Sequence, residues 1–430
     1  MGNGRTGTLG AKRLAFNDIP VIDIDGLFSA DPADRQRVAD AVGEACDKVG
    51  FLYITNHRIP EAAITGAHDS MAAFFALPLA EKLALDINTI QRHRGYVPLG
   101  GLYADPTAQP DVQEGFELSL ELPADDPHYR DGNIMMGPNV WPDGLPAFQP
   151  AIYGYYERIV DLGHVMFKAF ALTLGIDEDY FEDKIDKPMG QLRLIYYPIR
   201  EGAVTADRIG IGAHMDYECF TILWQDAIGG LQVGNRDGDW VEAPPIPGSF
   251  IINVGDMMMR WSNDKFVSTP HRVINSTQHE RYSMPFFFGA NYDTVVAPLE
   301  VCCGPGNPPR YPPTASGLWS VRMITDAYEY RKDYRGKLQT RSKRRRQPPS
   351  HPPQAVQRHN FGAGSVAQQG GVAAGDEQLV APRQHRLGGI IGPADAAHGL
   401  AGRQDRGFGA GQGFGHLRVV ELARLAHAGR

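Results

Sequence analysis

The sequence predicts a mainly β protein with α-helices: a double-stranded β-helix, or jelly roll, with an N-terminal and flanking helical cover. Two observations carry this. Between about residues 191 and 288, short aromatic or β-branched segments follow one another, separated by turn residues. Helical spacing occupies residues 33–90 and returns at about 145–174, so helices flank a run of closely spaced antiparallel strands.

In chain order, Asp34 to Val49 carries Val38, Val42 and Cys46 at fourfold spacing and reads as a helix, followed by Ala62 to Ala76. Leu145 to Leu174 is a long amphipathic run, a helix or helix pair. The expected strands are Gln191–Tyr197, Phe220–Gln225, Gly230–Val233, Trp240–Ala243, Ser249–Val254, Phe266–Ile274 and Arg281–Phe288. Turn signals at Asn235 to Gly238 and Ile246 to Gly248 separate some of them. The expected domains are a flexible N-terminus (1–17), an N-terminal mixed α/β region (18–130), a jelly-roll core with the long helix (131–335) and a basic tail (336–430).

Composition narrows the function. No apolar run approaches the ~18 residues that span a bilayer, and Met1 to Lys12 is not followed by the apolar segment of a secretory signal. Four cysteines are too few and too irregular for a disulfide framework or a thiolate zinc site. The expected setting is cytoplasmic, with no membrane partner. The net charge of -8 hides an asymmetry: from residue 341 there are 13 basic and 5 acidic residues, so residues 1–340 carry -16. An acidic body repels phosphate, so no nucleic-acid partner is expected for it. The tail, rich in Gly, Ala, Gln and Arg, buries too little apolar surface to order itself and reads as disordered. Its bias also resembles GC-rich DNA read out of frame, which resequencing around the Arg335 codon would test.

The chemistry-bearing residues lie among the strands. In His214-Met215-Asp216, alternation along an extended segment puts His214 and Asp216 on one face. His271, in Ser268-Thr-Pro-His-Arg-Val273, supplies a third ligand type from a distant strand. Two imidazoles and one carboxylate on one face form the facial triad of non-haem Fe(II) oxygenases. A His-x-Asp alone is a frequent coincidence; its company matters. Ten residues past His271, Arg281 and Ser283 share a strand face, a guanidinium fork beside a hydroxyl that suits capture of a carboxylate near the metal. Continuing the alternation puts Phe287 on the same face as a candidate substrate contact, and Tyr96 and Tyr103 lie on a stretch that could cover the barrel mouth.

These motifs resemble the isopenicillin N synthase-like branch of the Fe(II)/2-oxoglutarate-dependent dioxygenases. The resemblance runs through Ile19-Pro-Val-Ile-Asp23, Gly50 to His57, Phe74 to Pro78, Arg94-Gly-Tyr96 and Tyr196-Tyr-Pro198. It continues through Gly212 to Tyr217, Gly229 to Val233, Asn253-Val-Gly-Asp256, Trp261 to Asp264 and Ser268 to Val273. It implies iron ligation by His214, Asp216 and His271, and binding of the distal 2-oxoglutarate carboxylate by Arg281 and Ser283. It further implies a hydrogen bond from Tyr197 to a co-substrate or substrate carboxylate. Ile195 stands where plant members often have Asn, so one polar contact is absent. Arg94 is expected to be structural, and Asn253 and Asp256 to shape a turn.

The implied cofactors are Fe(II), 2-oxoglutarate as co-substrate, O2, and ascorbate as reductant. The implied reaction hydroxylates or desaturates a small-molecule substrate with release of succinate and CO2. Other readings stay open within the resemblance: a 2-oxoglutarate-independent oxidase or cyclase, and ethylene formation from 2-oxoglutarate itself. A non-catalytic jelly-roll binding protein would be expected to lack a metal ligand, and none is missing. A zinc hydrolase leaves Arg281 without a role.

Overall fold

A computed structural model describes residues 19–90, 92–101, 111–199, 209–275 and 278–327. The basic tail and Tyr103 lie outside the described residues.

Alternation of side chains builds two layers of core on either side of one large sheet. Its strands are β1 (Val21–Asp23), β2 (Phe51–Thr55), β3 (Gly95–Val97), β4 (Glu114–Ser119), β5 (Gln191–Tyr197), β7 (Phe220–Gln225), β10 (Phe250–Val254) and β12 (Arg281–Phe288). They are ordered β1-β2-β10-β7-β12-β5-β4-β3. A second sheet contains β6 (Ile211–His214), β8 (Leu231–Gly234), β9 (Trp240–Glu242) and β11 (His271–Val273), ordered β6-β11-β8-β9. The two sheets form the jelly roll.

In β10, Phe250, Ile252 and Val254 belong to the helix-side core, whereas Ile251 faces the second sheet with Phe51, Tyr53, Ile195, Tyr197, Leu231, Val233 and Val273. Burial on both faces explains why Phe-Ile-Ile-Asn-Val shows no polar alternation.

Helices α1 (Pro32–Lys48), α2 (Glu61–Phe75) and α5 (Phe148–Leu174) form the cover, with short α3 (Leu79–Leu83), α4 (Pro127–Arg130) and α6 (Glu182–Ile185) between strands. Asp31 caps α1 by accepting from Ala33 N–H, with Pro32 at the first helical position. The 145–174 run is a single helix, ended by Gly175 at φ 72°, the left-handed conformation glycine adopts without penalty. Helix α5 approaches β12 at Gly163, where a Cβ would lie 2.2 Å from the Phe288 ring. Helix α7 (Asp256–Trp261) follows β10, and α8 (Ser316–Ala327) closes the described chain.

One expected strand is much shorter than its pattern. Phe266–Ile274 yields only His271–Val273, because Phe266 N–H donates to Ser262 Oγ, Val267 N–H donates to Cys46 O, and Pro270 has no N–H to give.

Candidate metal and co-substrate site

Strand pairing assembles the site. His214 ends β6, His271 opens β11, and the two are directly opposite in the antiparallel register. Their rings lie 4.3 Å apart between centroids. Asp216, two residues past β6, turns Oδ1 to 3.6 Å from each Nε2. The three donor atoms fall within 4.8 Å of one another.

Each imidazole is set by its other nitrogen. His214 Nδ1 lies 2.8 Å from Gly212 O and His271 Nδ1 3.2 Å from Thr269 O, so Nδ1 carries the proton and Nε2 presents its lone pair. Burial, helped by nearby His271, pushes His214 down to about 4, which keeps it neutral. Asp216 is held the opposite way. Burial opposes its ionisation, but His271, His214 and hydrogen bonds from Thr221 and Asn253 outweigh it and keep its carboxyl below the ordinary value. Thr221 Oγ1 (2.5 Å) and Asn253 Nδ2 (2.6 Å) both donate to Oδ2, leaving Oδ1 for a cation. Asn253, expected to shape a turn, is a β10 residue that orients this carboxylate; its buried position in a strand, rather than its motif, reveals the role. Gly255 permits the close approach behind it, since a Cβ there would lie 2.3 Å from Glu218 O.

The second half of the site is cationic. Arg281 is 1% exposed. Its Nε donates to Gly229 O, Nη1 to Ser283 Oγ (3.1 Å) and Nη2 to Gln225 Oε1 (3.1 Å), while its guanidinium lies 4.6 Å from the Tyr197 ring centroid. Among the described residues no carboxylate pairs with it. A buried guanidinium held only by neutral groups calls for an anion. Tyr197, opposite Arg281 in register, has a buried hydroxyl with no hydrogen-bond partner within bonding geometry among the described residues.

Comparison with known proteins agrees. Residues 19–144 match the family described as non-haem dioxygenase in morphine synthesis N-terminal, and residues 188–290 match the 2OG-Fe(II) oxygenase superfamily. The 2-oxoglutarate-Fe(II) type oxidoreductase hxnY of Emericella nidulans is 36% identical over 316 residues, covering 72% of this chain and 89% of that protein. The chain belongs to the 2OG-Fe(II) oxygenase superfamily. Within it the chain falls in the isopenicillin N synthase-like branch. A homoarginine-6-hydroxylase of Arabidopsis thaliana is 36% identical over 67% of this chain and 89% of its own length. A Neurospora crassa protein crystallised in complex with alpha-KG and thymine matches with a TM-score of 0.63 at 27% identity, covering 73% of this chain and 99% of that one. The protein is thus a non-haem iron oxidoreductase that uses Fe(II), 2-oxoglutarate and O2.

The residues of this oxygenase fit those groups. Two imidazoles and a carboxylate drawn together suit Fe(II), and Arg281, with no carboxylate partner among the described residues, suits the far carboxylate of 2-oxoglutarate. Ser283 stands beside Arg281, and Ile195 joins the apolar core between the sheets. Phe287 is half-buried and opposite Thr221 and Gln191 in register, on the face that carries Arg281 and Ser283.

Tyr96 is not brought to this cluster. On β3 it pairs with Phe116, whose side chain points to the helix-side core; its ring packs on Phe74 and its hydroxyl donates to Glu114 (2.7 Å). Arg94 is buried and donates to the carbonyls of His93 and Met135. Sequence reasoning also missed Glu218. Burial raises its carboxyl to about 8, partly offset by the hydrogen bond from Ser320 on α8.

Proposed function

We propose that this oxygenase hydroxylates a small molecule, with Fe(II) held by His214, Asp216 and His271 and 2-oxoglutarate held by Arg281, Ser283 and Tyr197. The buried Arg281, which has no acidic partner among the described residues, carries the co-substrate assignment, because a desolvated guanidinium held by neutral groups suits a carboxylate. Bound there, iron and 2-oxoglutarate supply oxidative decarboxylation to succinate and CO2, coupled to oxidation of a substrate C–H bond. The chain does the rest. Thr221 and Asn253 hold the Asp216 carboxylate in one orientation. Arg281 fixes the co-substrate by its distal end, and the apolar residues between the sheets, Ile195, Ile251 and Val273 among them, exclude water. In this reading Phe287, half-buried on the strand face of Arg281 and Ser283, packs against substrate.

Hydroxylation is favoured because relatives bear that activity in their names, as the homoarginine-6-hydroxylases do. Ascorbate serves as reductant in this reading. A cytoplasmic setting suits four cysteines that form no disulfide.

The test is succinate release by the full chain with Fe(II), 2-oxoglutarate, ascorbate and O2, with headspace ethylene measured alongside and His214→Ala as control. Succinate from the parent and none from the variant supports the assignment. Ethylene beside succinate would replace hydroxylation by fragmentation of 2-oxoglutarate, and equal turnover by the variant would remove His214 from the site.

A further inference from the structure

The inner face of the large sheet changes character at β4 and β5. On β10, β7 and β12 its polar groups, Asn253, Thr221, Arg281 and Ser283, belong to the metal and co-substrate site, but here Glu117 pairs with Arg193 (3.1 Å to Nε) and accepts from Gln191 Nε2 (2.6 Å), all three side chains being buried. Gly115, two residues before Glu117, puts no side chain on this face.

Gln113 continues the alternation by two more residues. It stands next to β4, in a segment tied to the second sheet: Val112 N–H donates to Ile209 O (3.3 Å), and Asp111 Oδ1 accepts from Gly212 N–H (3.0 Å), in the strand that ends at His214. Glu114, the next residue, points the other way, to Lys82 and Tyr96 under the helices.

Gln113 is 2% exposed, and among the described residues neither its Oε1 nor its Nε2 has a hydrogen-bond partner. Burying both ends of a primary amide without partners is costly, and native proteins rarely leave such groups unsatisfied without a ligand or functional reason. The Glu117, Gln191 and Arg193 cluster is engaged with itself; Gln113 is not.

We propose that Gln113 is a specificity-determining residue that reads a substrate edge carrying an N–H donor beside a carbonyl acceptor: an amide, lactam or cyclic imide. This rests on the oxygenase reading above and adds the substrate class. The side-by-side acceptor and donor of a carboxamide match such an edge twice over. A carboxylate, including either end of 2-oxoglutarate, would meet the Nε2 donor but set an anion against Oε1.

The full chain loaded with Mn(II) and 2-oxoglutarate under anaerobic conditions provides the test, with binding followed by calorimetry. The probes are matched pairs: 2-pyridone and N-methyl-2-pyridone, benzamide and N,N-dimethylbenzamide, succinimide and N-methylsuccinimide. At least one N–H member should bind the parent about tenfold or more tightly than its methylated partner. Gln113→Leu should erase that preference, and Gln113→Glu, which keeps length but loses the donor, should lose about half of it on a logarithmic scale. Titration of 2-oxoglutarate into each variant checks that the site is folded. The proposal is overturned if no pair is discriminated by the parent, if the preference survives Gln113→Leu, or if the substitution weakens 2-oxoglutarate alone. A parent that does not bind 2-oxoglutarate would instead overturn the oxygenase reading, and this inference with it.

Discussion

Replacing Asn253 by Leu tests how much of the metal site is made by groups that never touch the metal. In the parent, Asp216 Oδ2 accepts from Asn253 Nδ2 at 2.6 Å and from Thr221 Oγ1 at 2.5 Å, while Oδ1 faces both imidazoles at 3.6 Å. Leu matches Asn roughly in size but donates nothing. A hydrogen bond to a charged group contributes ~1.5–3 kcal/mol, and the carboxylate here is buried. Loss of one of two such donors should weaken metal binding by about 10- to 100-fold, the usual range for partners of metal ligands. Because those donors favour the ionised carboxylate, the deficit should be larger at pH 6 than at pH 8. Anaerobic Co(II) titration followed by visible absorption reads the affinity, and thermal unfolding of the metal-free protein reads the fold. Thr221→Val supplies a second, nearly isosteric deletion. Both donors serve one oxygen, so the double variant should deviate from additivity. Affinities within twofold of the parent in both single variants, with folding intact, would refute the idea that these bonds orient the ligand.

Three further outcomes are expected. Arg281→Leu should raise the 2-oxoglutarate dissociation constant by about 30-fold or more, the consequence of leaving a buried carboxylate unpaired; an unchanged constant in calorimetry of the Mn(II) protein would mean that Arg281 holds something else. Glu218 is protonated in the fold up to about pH 8 but ionises near 4.5 when unfolded, so the folded state binds more protons and stability should fall as pH rises between those values. The full difference is ~5 kcal/mol at 1.36 kcal/mol per pH unit, and chemical denaturation should show the slope flattened in Glu218→Gln. Gly163→Ala should destabilise by ~1–3 kcal/mol despite alanine's better helix propensity, because its Cβ would overlap the Phe288 ring; a rise in melting temperature would contradict this.

Much of the barrel is legible in the sequence because its strands are bounded by turn residues and filled with β-branched or aromatic side chains. Gln191–Tyr197, Phe220–Gln225 and Arg281–Phe288 fall where their pattern ends. β4 is hidden because Glu-Gly-Phe-Glu-Leu-Ser puts glycine and a buried carboxylate on its inner face, so neither propensity nor polarity marks a strand. Asn253 illustrates a different limit. Its role depends on β10 lying beside β7, which brings it opposite Thr221, and such lateral order between strands leaves no local trace. Tyr96 sits in a three-residue strand, too short for alternation alone to say which face it takes.

The position of β6 at the end of the smaller sheet has a thermodynamic consequence. Among the described residues one strand, β11, pairs with it there, and their register shifts between His271 and Val273. Such a border strand is a natural place for the fold to open. A cation gripping His214 and His271 together would act as a clasp across that pairing. Amide exchange at Ile211 to His214 should therefore track free metal concentration, slowing about 100-fold when the ion is present at 100 times its dissociation constant. Cofactor occupancy and local protection against unfolding become two readings of one equilibrium, and chelation alone should convert this margin of the barrel into its most readily exchanging strand.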